Sequence, residues 1–247
     1  MWQMCRHTAW LGPPRTLQEL LADPPYGLLR QAWQPRQQRH GTVNADGFGV
    51  GWFSPERPEP ARYRRAAPIW SDPSFTSLAG VVRSGCVLAA VRSATDGGPG
   101  GEEACAPFLL PGGVLLSHNG AVPVDAVAPL ASSVALAGIG STVDSAFVAA
   151  LVSDRLDRGL AAALSAAVLE GAAAAPDARL NLLATDGVTV AATTWGDTLC
   201  WRVADGGVVI GSEPADDDPG WSVVPDRCLL VLTGDGCTVT ALTKGAP

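Results

Sequence analysis

Residues 180–210 read LNLLATDGVTVAATTWGDTLCWRVADGGVVI, and the punctuation of this stretch decides the fold class. Asp186-Gly187 and Asp205-Gly206 each stand between apolar runs, as does Asp235-Gly236 further on. An Asp-Gly pair in that setting is the strongest short-range hairpin signal, because the tight turns that suit twisted strands need positive φ. Leu180 to Ala184, Val188 to Thr193, Leu199 to Val203, Val208 to Ile210, Leu229 to Leu232 and Val239 to Leu242 therefore read as an antiparallel meander.

Upstream the period changes. From Ser141 onward, Phe147 with Leu151 and Val148 with Val152 recur at helical spacing, and a second helix is expected from Leu156 to about Leu169. Before these helices, Phe48 to Phe53, Val87 to Val91 and Val114 to Leu116 are apolar runs bounded by turn residues, which reads as buried strands. Thr16-Leu17-Gln18-Glu19 is a capping box opening a short helix. Arg62, Arg64 and Arg65 suit a solvated edge strand. Strands, then helices, then strands imply an α+β layered domain in which helices cover stacked sheets.

The composition agrees and excludes several classes. Of 247 residues, 47% are hydrophobic and 17% charged, against about 25% charged in typical soluble chains, so a sizeable core is affordable and disorder is excluded. The 28 glycines and 20 prolines suit many short strands. A net charge of -7 argues against nucleic acid or an anionic membrane as partner, since both require a basic face. The most apolar stretch, Gly159 to Ala175, is mostly alanine and too short to span a bilayer, and Met1 to His7 has no signal-peptide core. The cytoplasm is the expected compartment. Six cysteines without a C-x-x-C pair, beside three histidines, give no zinc-ligand spacing, and most of the cysteines are expected to be small buried hydrophobes.

Four short segments carry chemistry-bearing residues: Met4-Cys5-Arg6-His7, Val91-Arg92-Ser93-Ala94-Thr95, Ser117-His118-Asn119-Gly120 and Ser141-Thr142-Val143-Asp144-Ser145. Each has an ordinary reading. Asn119-Gly120 suits a turn after a strand, and Asp144 suits the carboxylate partner of Ser141 in a helix cap. Arg92 at a strand end suits a surface charge.

Together and in this order, the segments resemble the glutaminase domain of class II glutamine amidotransferases, which are N-terminal nucleophile hydrolases. The resemblance runs along the chain through Cys5 after Met4, the glycine-rich strand Asn44-Ala45-Asp46-Gly47-Phe48-Gly49-Val50-Gly51, Arg92 with Ala94-Thr95, Pro107-Phe108, Asn119-Gly120 and Asp144. Within that superfamily, the opening from Cys5 to Arg15 resembles the γ-glutamyl hercynylcysteine S-oxide hydrolases of ergothioneine biosynthesis. So do Leu182 to Gly187, Thr194 to Asp197 and Ser212-Glu213-Pro214. The chain departs from the wider pattern at Asp96, where many members carry His, and at Cys105 and Ala106, where many carry a polar residue and His.

The resemblance implies a four-layer αββα sandwich of two antiparallel sheets, formed by one domain over residues 5–247. Residues 1–4 are then a non-native start or a removed segment. It also implies hydrolysis of a γ-glutamyl amide through a thioester on Cys5, without cofactor or metal. A free thiol has a pKa near 8.5 and needs a base, which an α-amino group on the same residue supplies. By resemblance Cys5 is the nucleophile, the Asn119 amide and Gly120 N–H stabilise the oxyanion, Arg92 takes the α-carboxylate and Asp144 the α-ammonium. Thr95 and His118 join the substrate site. Trp52 and Trp195 are candidates for a quaternary ammonium group, although most tryptophans are core or rim residues. The expected partner is a small γ-glutamyl substrate, with a homodimer left open. Two rival readings stand: a free-standing amidotransferase delivering ammonia to a separate synthase, which use of all 247 residues by the glutaminase-like domain disfavours, and a non-catalytic binding domain if the N-terminus stays unprocessed.

Overall fold

A computed structural model describes residues 5–94, 100–234 and 236–243. The described residues open with their longest strand, β1 (Arg6–Thr16), which turns at once into α1 (Leu17–Leu21). The capping box predicted there is formed: Glu19 N donates to Thr16 Oγ1 at 3.1 Å and Thr16 N donates to Glu19 Oε2 at 2.6 Å, satisfying two backbone donors that a helix start otherwise leaves open. Then follow α2 (Leu28–Gln31), β2 (Gly47–Trp52), β3 (Ala61–Arg65), α3 (Pro73–Ala79), β4 (Arg83–Arg92), β5 (Phe108–Leu110) and β6 (Val114–Ala121). The middle of the chain is helical, with α4 (Val124–Val127), α5 (Ser133–Ala137), α6 (Asp144–Ser153) and α7 (Leu160–Ala174). Last come β7 (Arg179–Thr185), β8 (Val190–Thr194), β9 (Cys200–Ala204), β10 (Gly207–Gly211), β11 (Ser222–Val223), β12 (Cys228–Thr233) and β13 (Gly236–Ala241). Among the described residues no helix is long and apolar enough to cross a membrane.

The strands form two antiparallel sheets, ordered β11-β9-β10-β1-β4-β2-β3 and β13-β12-β8-β7-β6-β5. Period-two alternation gives each sheet two apolar faces. Ala9, Leu88, Leu115, Leu183, Ile210 and Leu230 fill the space between the sheets. Leu116, Leu180 and Leu182 face α6 and α7, and Trp10, Phe48 and Val87 face α1 to α3. The α+β sandwich of four layers, αββα, is thus present.

Several local expectations change. The six C-terminal strands are not one meander, because β9 and β10 leave β8 and join the first sheet beside β1. An Asp-Gly turn fixes a hairpin, and Asp205 and Gly206 do take φ 51 and 76, but it carries no information about which sheet edge the hairpin joins. Asp235 lies outside the described residues. Asn119-Gly120 is not a turn, since β6 runs on through Ala121 in register with β7. Val143, not Ser141, caps α6, and Asp144 is its first residue. The helix expected from Leu156 begins only at Leu160, after a 3₁₀ turn and Gly159 at φ 86. The arginine cluster does form an edge strand, β3, yet Arg62 and Arg64 also donate to the Pro107 and Cys105 carbonyls at 3.2 and 3.3 Å. All six cysteines are free, and Cys86, Cys105, Cys200 and Cys228 are buried.

The glycine-rich strand β2 has a packing reason. A Cβ at Gly49 would lie 2.2 Å from the Ala106 carbonyl oxygen, so only glycine lets the segment before β5 close over β2. Gly49→Ala is expected to cost about 1–3 kcal/mol of stability through overpacking. Gly140→Ala, where nothing lies within 4 Å of the added carbon, is expected to be neutral. Urea denaturation of both variants checks the difference.

Candidate active site

Cys5, Arg92, His118, Gly120 and Asp144, each singled out by its motif, converge at one end of the sandwich. Cys5 immediately precedes β1, Arg92 ends β4, and the register that pairs Arg6 with Val91 sets the two side by side. Asp46, just ahead of β2, ties down the strand end: its N donates to the Arg92 carbonyl at 3.0 Å, and its Oδ2 accepts from Ala94 N at 2.8 Å. Arg92 Nη1 in turn donates to the Asp46 carbonyl at 3.3 Å. From the second sheet and its helices come Ser117, His118 and Gly120 of β6 and Asp144 and Ser145 of α6. Cys5, Arg92 and these residues line a cavity of about 290 Å³, at the small end of the range for ligand pockets and suited to an amino-acid-sized group.

The opening of β1 is held rigidly. His7 N donates to Ser212 Oγ at 3.0 Å, and Ser212 N to the His7 carbonyl at 3.0 Å. Arg6, fully buried, lies 3.9 Å from Glu213, whose carboxylate also accepts from Arg36 N and Gln37 N at 2.8 and 2.7 Å. Burial lowers the Arg6 guanidinium pKa, opposed by Glu213 and Asp197. Burial likewise pushes His7 down to about 3, helped by His118 and Arg6, so this imidazole is neutral at physiological pH.

Asn119 is not among the residues that line the cavity; it sits in β6 opposite Asn181, between the lining residues His118 and Gly120. Leu115 and Ala9 share the core between the sheets, and His7 Nδ1 meets Ser117 Oγ at 3.2 Å; one further step of two residues along β6 puts Asn119 on that same face, toward the end of the sandwich where β1 begins. Asn119 is fully buried, and among the described residues neither its amide nitrogen nor its amide oxygen has a hydrogen-bond partner. Its cross-strand neighbour Asn181 is committed elsewhere: Asn181 Oδ1 accepts from Trp195 N and Asp197 N, and Nδ2 donates to the Asp197 carbonyl at 2.9 Å. Gly120 lines the cavity where a Cβ would sit 1.9 Å from the Arg179 carbonyl oxygen.

The remaining groups are already engaged. Asp144 Oδ2 accepts from Val122 N at 3.1 Å, and Oδ1 from Ser145 N at 2.8 Å. His118 lines the cavity but has both ring nitrogens in use, with Nδ1 3.0 Å from Ser145 Oγ and Nε2 2.9 Å from the Arg179 carbonyl oxygen. The Cys5 thiol is pushed up to about 11 by burial, only partly offset by the Ser93 backbone and the Arg92 charge. It is therefore a neutral thiol that needs a base.

Two expected residues are elsewhere, and one falls outside the described region. Trp52 pairs with Val87, five positions along from the Gly47–Arg92 pair, roughly 17 Å at 3.4 Å per residue, and packs into the outer core. Trp195 lies beneath the Arg227 guanidinium, 5.0 Å from its ring centroid. Neither lines the cavity, because adjacency to a motif in sequence does not orient a large side chain toward it. Thr95, like residues 1–4, lies outside the described residues. Conversely, Ser93 and Ser145 line the cavity and Asp46 braces the end of β4 beside it without having been assigned roles; their only sequence signal is adjacency to Arg92, Asp144 and Gly47.

Comparison with known proteins agrees with this arrangement. No protein-family model matches the chain. It is 52% identical over 239 residues to the γ-glutamyl-hercynylcysteine sulfoxide hydrolase of Mycolicibacterium smegmatis, covering 97% of this chain and 100% of that protein. It is 48% identical over 244 residues to the protein of the same name from Mycobacterium tuberculosis, covering 98% of each. A solved glutamine aminotransferase class-II domain protein from Silicibacter pomeroyi shares the fold, with a TM-score of 0.71 at 24% identity over 97% of this chain and 100% of that one. With relatives this similar over almost their whole length, the chain belongs to the γ-glutamyl-hercynylcysteine sulfoxide hydrolase family.

Proposed function

We propose that this protein hydrolyses the γ-glutamyl amide bond of γ-L-glutamyl-hercynylcysteine sulfoxide, giving glutamate and hercynylcysteine sulfoxide in ergothioneine biosynthesis. The observation that carries this reading is the gathering of Cys5, Arg92 and Asp144 around one cavity of amino-acid size, in a chain whose full-length relatives bear that name. The reaction belongs in the cytoplasm, where free thiols persist.

The chemistry follows from charge and position. Arg92 pairs with the α-carboxylate of the glutamyl group and Asp144 with its α-ammonium, so the γ-carbonyl is directed toward Cys5. A thiol raised to about 11 attacks at neutral pH only if its proton has somewhere to go, and the α-amino group of Cys5 takes it once residues 1–4 are gone. Sulfur adds to the γ-carbonyl carbon while the developing oxyanion is met by the Asn119 amide and the Gly120 N–H. An amide left buried without partners costs about 1–3 kcal/mol in the resting protein, and that same lack of partners leaves it preorganised for an oxyanion. The protonated amine then gives its proton to the leaving nitrogen as the C–N bond breaks. Water, deprotonated by the same amine, finally cleaves the thioester to glutamate.

Cys5→Ala is expected to abolish turnover with the fold retained, and mass spectrometry of the active protein is expected to find Cys5 as its first residue. An active chain still carrying Met4 on Cys5 would overturn the base assignment. Asn119→Ala is expected to lower kcat by roughly 10²–10³-fold with a smaller change in KM; a rise in KM alone would make Asn119 a ground-state binding residue. A competition assay checks specificity. The sulfoxide substrate should be preferred, glutamine and simpler γ-glutamyl amides should be slower, and N-acetylated substrate should lose about 10⁴-fold or more, since it leaves buried polar groups unpaired. Rapid glutamine hydrolysis without that preference would favour an ammonia-delivering amidotransferase.

A further inference from the structure

The α-ammonium group offers three N–H donors, and the Asp144 carboxylate alone does not match them. Each of its oxygens already accepts one backbone N–H, from Ser145 and from Val122. A carboxylate oxygen has two lone-pair sites, so one remains on each, giving two acceptors for three donors. A third acceptor is required if no N–H is to be buried unpaired.

The partners of His118 identify it. The Arg179 carbonyl oxygen, 2.9 Å from Nε2, only accepts, so Nε2 carries the proton. In a neutral imidazole Nδ1 is then an acceptor, and the group 3.0 Å from it is the Ser145 hydroxyl. Asp144 Oδ1 competes for that hydroxyl proton only at 3.4 Å, and it already has a donor, where among the described residues buried Nδ1 has no other. Opposite a neutral His118 the hydroxyl donates to Nδ1, and its lone pairs are left to accept. Ser145 lines the cavity beside Asp144.

We propose that Ser145 is a specificity-determining residue: its Oγ, oriented by donation to His118 Nδ1, is the third acceptor for the substrate's primary α-ammonium, alongside the two oxygens of Asp144. His118 is then a positioning residue acting through Ser145, not a direct ligand. The inference rests on the γ-glutamyl reading of the cavity and assigns the recognition of a primary ammonium, as against a hydrogen or an acylated nitrogen, to a definite hydroxyl.

The test compares two small ligands that differ only in that ammonium, L-glutamate and glutarate, as competitive inhibitors of the wild-type, Ser145→Ala and Ser145→Thr proteins. A hydrogen bond to a charged group is worth enough that Ser145→Ala should weaken L-glutamate roughly tenfold or more, leave glutarate unchanged, and raise KM for the substrate more than it lowers kcat. Ser145→Thr retains the hydroxyl and should restore L-glutamate binding. The ¹⁵N resonance of His118 Nδ1 should shift in Ser145→Ala and not in Ser145→Thr. Equal weakening of both inhibitors would show a structural role and overturn the proposal, as would unchanged L-glutamate binding in Ser145→Ala. Failure of the wild-type protein to bind L-glutamate or to cleave any γ-glutamyl amide would instead overturn the functional reading beneath it.

Discussion

Strand β1 is paired on both sides, with β4 through Arg6–Val91 and with β10 through Thr8–Gly211, and the rest of the site is referred to that double pairing. A residue just ahead of a central strand is held by two neighbours, whereas one on an edge or in a loop is free to swing. The pairing with β4 brings Arg92 beside Cys5. Beyond the pairing with β10, Ser212 and Glu213 grip His7 and Arg6. Facing β1 across the core, β6 presents Asn119 by the same two-residue period that places Leu115 in the interior. A side chain mounted in this way has little further freedom to lose.

The end of the sandwich carries a concentration of buried polar groups. Arg6, His7, Ser117, Asn119, Asn181, Ser212 and Glu213 are all nearly or fully buried, where a low dielectric makes each unpaired group costly and each charge influential. The same burial that lowers His7 to about 3 raises Cys5 to about 11. The imidazole is thereby held neutral and the thiol protonated near neutral pH. Below this polar end, the apolar core between the sheets supplies the stability that the polar end does not.

What the sequence by itself determined were features written in local chemistry. The Thr16–Glu19 capping box, the Asp205-Gly206 turn and the period of α6 depend on residues within a few positions of one another, and each is present. The motif order from Cys5 to Asp144 was legible only as a resemblance, since each segment alone has an ordinary reading; the structure gathers Cys5, Arg92 and Asp144 around one cavity. Tertiary structure alone decided the non-local matters. Which sheet received the β9–β10 hairpin depends on the open edge of β1, almost two hundred residues earlier. Residues 6–15 carry Pro13 and Pro14, which mask the longest strand, and only pairing with β4 and β10 reveals it. Trp52 and Trp195 stand beside matching motifs yet face away, since side-chain direction follows strand register and not sequence adjacency. Asp46 and Ser145 joined the site for the converse reason: a hydrogen bond to Ala94 N in one case and to His118 Nδ1 in the other exists only after distant strands and a helix have been packed into contact.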